Sequence, residues 1–239
     1  MNSNSKKTRN ESGGILKASD ATSEVYDQYF EDLKNLSAPR AAYRVRIGVK
    51  LIGSLRGNSL AIGIGNLSEA RELKSCGFNP VLCDISAKAV GCAQQNGYEA
   101  FVCDISNNSP SGKYDFIFCF EVLEHLVNPL KALMNLKKSL SERGLLVVSL
   151  PNEFNILARL SILVGRPVFG GHDWHHLRFF NRKLGEKMFE EAGLEIIKRD
   201  YCPRVPLWNK FSIIFGEILQ KISPNLFSLS TVWVLKARD

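Results

Sequence analysis

From Ser59 onward the chain alternates short apolar runs with stretches whose apolar residues recur at helical spacing. Leu60 to Ile62, Val81 to Cys83, Ala100 to Cys103, Phe116 to Phe120 and Leu145 to Leu150 are apolar on both sides of the pleat, so they read as strands buried on both faces. Between them the periodicity predicts helices over Ser68 to Cys76, stopped by Gly77, and over Ala87 to Gln95, ended by Asn96-Gly97. Asn128-Pro129 is a capping residue followed by proline in the first turn, and Leu130, Leu133, Leu136 and Leu140 supply the buried stripe of a helix that Gly144 ends. Strand, helix, strand in repeated succession predicts an α/β fold with a parallel sheet covered on both faces.

The ends of the chain depart from this alternation. Residues 1–22 are polar, without apolar period, and read as a disordered tail. Ser23 then caps a helix carrying Val25, Tyr26, Phe30 and Leu33, and a second helix runs from Pro39 to about Leu55. After Pro151-Asn152 come a helix over Ile156 to Leu163, a glycine-rich loop, a helix over Arg182 to Ala192 and a strand from Leu194. Leu207, Trp208, Phe211, Phe215, Ile218 and Ile222 form an amphipathic stripe expected to pack on the domain, and Thr231 to Leu235 reads as a closing strand. The expected division is the tail, then one domain over 23–239: N-terminal helices 23–57, a ligand-binding half 58–150 and a substrate-side half 151–239.

Composition narrows the class. At 239 residues with 45% hydrophobic and 23% charged positions, the chain buries a core without staples. Its six cysteines form no C-x-x-C pair, which predicts reduced thiols in a cytoplasmic protein. No apolar run is long enough to span a bilayer. The net charge of +7 is concentrated between Arg40 and Arg56, where five basic residues stand without an acidic one. No aromatic interleaving or nucleic-acid motif accompanies them, so a solvated helix face is expected and no nucleic-acid partner.

The chemistry starts at Gly63 and Gly65, directly after the first strand, with Asp84 at the end of the second. Glycine admits positive φ and a close ligand, and a carboxylate about 20 residues on suits paired ribose hydroxyls. This outlines a nucleoside site. A dinucleotide needs a third glycine where Ser68 stands; S-adenosylmethionine, lacking phosphate, needs only the first glycines, the ribose carboxylate and a group for the adenine amine, which Asp104 supplies. Spacing leaves both ligands open.

The segments SLAIGIGN, VLCDIS, FVCDIS, YDFIFCFEVLEHLVNP, GLLVVSLPN and HLRFFNRKLGEKMFEEAGLEII, in that order, resemble the class I S-adenosylmethionine-dependent methyltransferase family, and HDWHHLRFFN resembles its ubiquinone-pathway O-methyltransferase and MetW-like subgroup. The resemblance implies a Rossmann-like three-layer α/β/α sandwich with a seven-stranded, mostly parallel sheet and an antiparallel last strand. It implies S-adenosyl-L-methionine as the methyl donor, with Gly63 and Gly65 under the methionine part, Asp84 on the ribose, Ile85 beside the adenine, Asp104 and Ile105 at its other edge, and Phe120 and Glu121 bordering the reacting methyl. The expected activity is methylation, at oxygen first, of a small-molecule or sugar-containing acceptor. Two positions depart from the family pattern: Ala61 stands where a carboxylate is usual, and Leu67, where a glycine is usual, is expected to crowd the turn. They leave a degenerate binding or regulatory protein as the alternative.

Methyl transfer is an in-line displacement, and a base is needed only if the acceptor must lose a proton. The candidates are His125, His176 and Asp173, with His175 beside them. Glu121, Glu124 and His125 correspond in the ubiquinone-pathway relatives to a metal-assisted pattern; without a further identifiable ligand they are read as tying a helix start to its loops, and no metal is assigned. Arg178 and the basic helix point to an anionic acceptor group.

Overall fold

The computed structural model describes residues 18–33, 39–165, 176–203 and 210–238. Two helices, α1 (Ala18–Leu33) and α2 (Pro39–Ile52), precede the sheet. Then follow β1 (Ser59–Ile62), α3 (Ser68–Ser75), β2 (Val81–Asp84), α4 (Ala87–Gln95), β3 (Ala100–Val102) and β4 (Tyr114–Phe120). After a single 3-10 turn at Leu123–His125 come α5 (Pro129–Lys138), β5 (Leu140–Pro151), α6 (Ile156–Leu163), α7 (Arg182–Glu191), β6 (Leu194–Pro203), α8 (Lys210–Ile222), α9 (Pro224–Phe227) and β7 (Ser228–Ala237). The strands form one sheet in the order β3-β2-β1-β4-β5-β7-β6, in which β7 runs antiparallel to both neighbours and the rest are parallel.

Side-chain alternation along the strands splits the core into two layers. Ala61, Phe116, Phe118, Phe120 and Val147 face α2, α3 and α4, meeting Val45, Leu73 and Ala93. Leu60, Ile62, Ile117, Leu146 and Val148 face α5 and α7, meeting Leu133, Leu136 and Phe189. Trp233 of β7, 1% exposed, packs edge-on to Phe189 with ring centroids 5.2 Å apart. Four helix starts are marked in the sequence: Ser86, Asn128, Asn155 and Asn181 each accept a hydrogen bond from the backbone N–H three residues ahead.

Four expectations are corrected. Residues 18–22 are helical rather than part of a tail, so α1 runs through Ser23 instead of being capped by it. The second helix stops at Ile52, with Gly53 in the left-handed region. The helix after Asn128 ends at Lys138, and Gly144 lies inside β5, which starts at Leu140. The register of β4 against β5 slips there, from Tyr114–Leu140 to Phe116–Leu145. A Cβ on Gly144 would stand 2.8 Å from the Tyr114 carbonyl oxygen and 2.9 Å from the Ser141 nitrogen, so the residue serves a close backbone approach in a bulge and not a helix end. Finally, Ile214, Phe215, Ile218 and Ile222 on α8 point to solvent rather than onto the domain.

The topology places a site. The chain lays down β1, β2 and β3 outward in one direction, then returns to set β4 on the other side of β1. Loops leaving the carboxyl ends of β1 and β4 diverge and leave a crevice, the usual ligand position in open parallel sheets.

Candidate functional site

A cavity of about 570 Å³ fills that crevice. Its floor is the turn after β1. Gly63 (φ +82°) and Gly65 (φ +48°) occupy conformations that suit glycine, and a Cβ on Gly63 would come within 2.7 Å of the Val122 side chain. The turn is held by Asp84 from the end of β2: its Oδ2 accepts from the Ile64 N–H at 2.7 Å and its Oδ1 from the Ser86 N–H at 2.8 Å. Burial pushes the Asp84 pKa up, against the stabilising backbone donors of Ile64, Ser86 and Ile85. Asp104, after β3, caps its own turn, accepting from the Ser106 N–H at 2.8 Å and the Asn107 side-chain amide at 2.6 Å. Both aspartates thus shape loops and line the cavity together, with Ile85 and Ile105 beside them.

The opposite wall comes from β4 and the 3-10 turn. Phe120 and Glu121 line the cavity. Glu121 adopts φ +52°, rare for a side-chain-bearing residue, and is fixed by Ser149 of β5, whose hydroxyl donates to Glu121 Oε1 at 2.9 Å and accepts from its N–H at 3.1 Å. Burial raises the Glu121 pKa, and Arg44, Ser149 and His176 pull it back. Three residues on, Glu124 is 0% exposed, and neither carboxylate oxygen has a hydrogen-bond partner among the described residues. Burial, then Glu121, holds its pKa well above the carboxylate range. Its backbone carbonyl does have partners, accepting from the Leu177 and Arg178 N–H groups at 2.9 and 3.0 Å, which brings the 176–180 segment over the site.

That segment delivers His176. Its Nδ1 lies 2.7 Å from Glu153 Oε1, and its ring meets His125 edge-on with centroids 4.8 Å apart. Ligand atoms of Glu124, His125 and His176 lie within 4.8 Å of one another. Asp173 and His175 lie outside the described residues, as do Leu207 and Trp208.

Several lining residues carry no signal in the local sequence pattern. Tyr26, Tyr29 and Phe30 of α1 close one side. The Tyr26 hydroxyl donates to the His125 carbonyl at 2.8 Å, and Asp27 accepts from the Ser86 hydroxyl, so α1 is fastened to both halves of the cavity. Burial, with Asp104 and Asp84 adding to it, pushes the Tyr26 pKa up to about 12. Arg44 of α2 bonds Glu69 Oε1 at 3.0 Å inside the cavity wall; burial disfavours its charge, but Glu121 and Glu69 outweigh that and raise its pKa.

Three sequence expectations change here. Leu67 has φ +65°, the backbone that a glycine would take, yet its side chain is 2% exposed in the core and does not line the cavity, so it does not crowd the ligand turn. Arg178 does not point to an anionic group: its Nη2 donates to the Val127 carbonyl at 2.6 Å and ties two loops. The basic stretch is the solvated face expected and does not point to an anionic acceptor: of its five residues only Arg44 lines the cavity, Arg46 pairs with Glu72 at 2.6 Å on the surface, Lys50 is exposed, and Arg56, beyond α2, bonds the carbonyls of Gly53, Leu55 and Cys76.

Residues 40–199 match the methyltransferase domain family. The ubiquinone biosynthesis O-methyltransferase of Rickettsia canadensis is 25% identical over 146 residues, 57% of this chain and 62% of that protein's length. Among solved structures, a SAM-dependent methyltransferase from Archaeoglobus fulgidus superposes with a TM-score of 0.62 at 15% identity, covering 88% of this chain and 99% of that one. Magnesium protoporphyrin IX methyltransferase from Synechocystis PCC 6803 superposes with a TM-score of 0.54 at 18% identity, covering 95% and 90%. With more than half its length matched and a seven-stranded sheet whose β7 alone is reversed, the chain belongs to the methyltransferase domain family and has the fold of the class I S-adenosylmethionine-dependent enzymes.

Proposed function

We propose that this protein transfers the methyl group of S-adenosylmethionine to an oxygen of a small-molecule acceptor. The observation that carries the reading is the two-sided cavity. Gly63, Gly65, Asp84 and Asp104 offer a nucleoside half, and Phe120, Glu121, His125 and His176 border a separate reacting half. The Asp84 carboxylate takes backbone donors from Ile64, Ser86 and Ile85, and of its four lone-pair sites one is left for a ribose hydroxyl. Ala61 supplies no carboxylate for the donor's ammonium, but Glu69 and Glu121 both line the cavity and keep the fold's usual chemistry within reach. This argues against the degenerate alternative.

We further propose that Glu124, His125 and His176, with Glu121 adjacent, hold a divalent cation. The donor set fits: a buried carboxylate with no partner among the described residues, beside two imidazoles, is costly unless a proton or a cation satisfies it. When bound, such an ion lowers the pKa of an acceptor hydroxyl and orients it. The chain's own residues do the rest. The acceptor hydroxyl gives up its proton to water as it enters the site, and its oxygen bonds to the methyl carbon as the carbon–sulfur bond breaks, the electron pair of that bond passing to sulfur, while the walls from α1 and the 176–180 segment shield and align the reacting pair. The contact of His176 with Glu153 supports a second reading, in which Glu153 orients His176 as a base that takes the acceptor proton. All six cysteines are free thiols, which supports the cytoplasmic assignment.

The test is incubation with methyl-labelled S-adenosylmethionine and fractionated small-molecule extracts, with and without chelator. Label transfer with release of S-adenosylhomocysteine is expected, lost in chelator and restored by a divalent metal. Transfer that chelator leaves intact favours His176 as base, and no transfer with any fraction contradicts the proposed activity.

A further inference from the structure

The carboxylates that line the cavity are those of Glu69, Asp84, Asp104 and Glu121. Three of them have work elsewhere in it. Asp84 and Asp104 hold the turns of the nucleoside half through backbone and amide donors. Glu121 is fixed by the Ser149 hydroxyl and lies within electrostatic reach of His176, in the reacting half. Glu69 stands apart from both groups, in the first turn of α3, directly after the glycine turn. Arg44 of α2 donates to its Oε1 at 3.0 Å, and both side chains are largely buried, 13% exposed for Arg44 and 19% for Glu69.

The surroundings of position 61 bear on what Glu69 does. Ala61, in β1, packs in the layer that also holds Val45 of α2 and Ala70 and Leu73 of α3. A carboxylate at 61, where the family pattern has one, would sit among the same two helices from which Arg44 and Glu69 reach the cavity. Leu67 fixes where α3 begins. Its buried side chain anchors the turn in that layer, its N–H donates to the Ile64 carbonyl at 2.9 Å, and its own carbonyl accepts from the Arg71 N–H at 2.9 Å. Glu69, two residues further on, is thereby held beside the glycine turn.

The methyl donor has three kinds of hydrogen-bond donor: ribose hydroxyls, the adenine amine and the ammonium of its amino-acid end. Asp84 suits the first and Asp104 the second. The ammonium, a compact cation with three N–H bonds, is matched by a carboxylate that is already oriented, and the bond from Arg44 to one oxygen leaves Glu69 further lone pairs to accept with. With the ribose on Asp84 and the sulfur facing Phe120 and Glu121, the amino-acid end lies over the turn of Gly63 and Gly65, beside which Glu69 stands.

We propose that Glu69 binds the ammonium group of the methyl donor, replacing from α3 the carboxylate that position 61 lacks. The assignment rests on the placement of S-adenosylmethionine proposed above. It is tested by calorimetric titration of the full chain with S-adenosylhomocysteine and with its deaminated analogue, in which hydrogen replaces the amino group. The wild type is expected to prefer S-adenosylhomocysteine by about tenfold, the value of one charge-assisted contact. In Glu69→Gln, which keeps size and shape, the two ligands are expected to bind within about twofold of each other, through weaker binding of S-adenosylhomocysteine. Comparing ligands within one protein cancels any effect of releasing Arg44, because both ligands carry the same carboxylate. A wild type that binds both ligands equally overturns the assignment and needs no variant to do so; a preference that Glu69→Gln retains overturns it as well. A wild type that binds neither ligand overturns the cofactor placement itself, which separates that failure from failure of the assignment to Glu69.

Discussion

Replacing Glu124 by methionine is expected to separate stability from function. Glu124 is completely buried, its carboxylate oxygens lack hydrogen-bond partners among the described residues, and burial and Glu121 together disfavour its charge. In protein stripped of divalent cation, such a group carries an uncompensated desolvation cost. Leaving a buried polar group unsatisfied costs about 1–3 kcal/mol, and more if it is charged. Methionine has similar length and volume and keeps the packing, so it removes the cost without opening a cavity. Glu124→Met is therefore expected to be more stable than the wild type in chelator by about 1–3 kcal/mol, each kcal/mol raising Tm by ~2–4 °C in a chain of this size. Cation reverses the order. At a hundredfold excess over Kd the wild type gains about 2.7 kcal/mol, while the variant, missing a ligand, gains little. Thermal and urea melts in chelator and in magnesium, manganese or zinc measure both effects. A variant destabilised by more than about 1 kcal/mol in chelator would refute the reasoning, because the carboxylate would then have native partners. An equal gain from cation in both proteins would remove Glu124 from the cation site.

Three further substitutions follow from the geometry. At Leu67, where φ is +65° and the side chain is buried, alanine is expected to cost about 2–5 kcal/mol in a urea melt; glycine relieves ~1 kcal/mol of backbone strain and is expected to be no worse than alanine, reversing their usual order. Gly144→Ala places a Cβ 2.8 Å from the Tyr114 carbonyl oxygen, and the backbone shift it forces is expected to cost about 1–3 kcal/mol by the same measurement. Ser149→Ala removes both side-chain hydrogen bonds to Glu121 and leaves its N–H the Ser149 carbonyl at 3.3 Å; a stability loss near ~1 kcal/mol is expected together with a larger fall in kcat/KM, and threonine, which keeps the hydroxyl, is expected to recover most of it.

Local chemistry made the strand and helix order legible. The doubly apolar runs of β1, β2 and β4 and the Asn128-Pro129 start need no tertiary information, and Gly63, Gly65, Asp84 and Asp104 follow strands closely enough for the topology to gather them. Gly144 misleads because a glycine after a helical stripe resembles a helix end, whereas its role depends on the Tyr114 carbonyl of another strand. The period of α8 identified an amphipathic helix but carried no information on which side faces the protein. The cluster of Glu124, His125 and His176 was only half visible. Glu124 and His125 are adjacent in the chain, but His176 reaches them because backbone N–H groups of Leu177 and Arg178 bond the Glu124 carbonyl, a contact between distant parts of the chain that no local pattern encodes. Arg44 likewise reads as one more charge in a basic helix until Glu69 and Glu121 surround it.

The central claim is that the crevice between β1 and β4 binds S-adenosylmethionine through Asp84. Calorimetric titration of S-adenosylhomocysteine into the wild type and Asp84→Asn tests it most directly. Asparagine keeps one acceptor for the turn but loses the charge, so the variant is expected to stay folded, as a melt verifies, and to bind at least about tenfold more weakly, the loss of one charge-assisted contact. The wild type is expected to bind one equivalent with a Kd between about 1 μM and 1 mM. No heat at millimolar ligand, or equal affinity in the two proteins, contradicts the account.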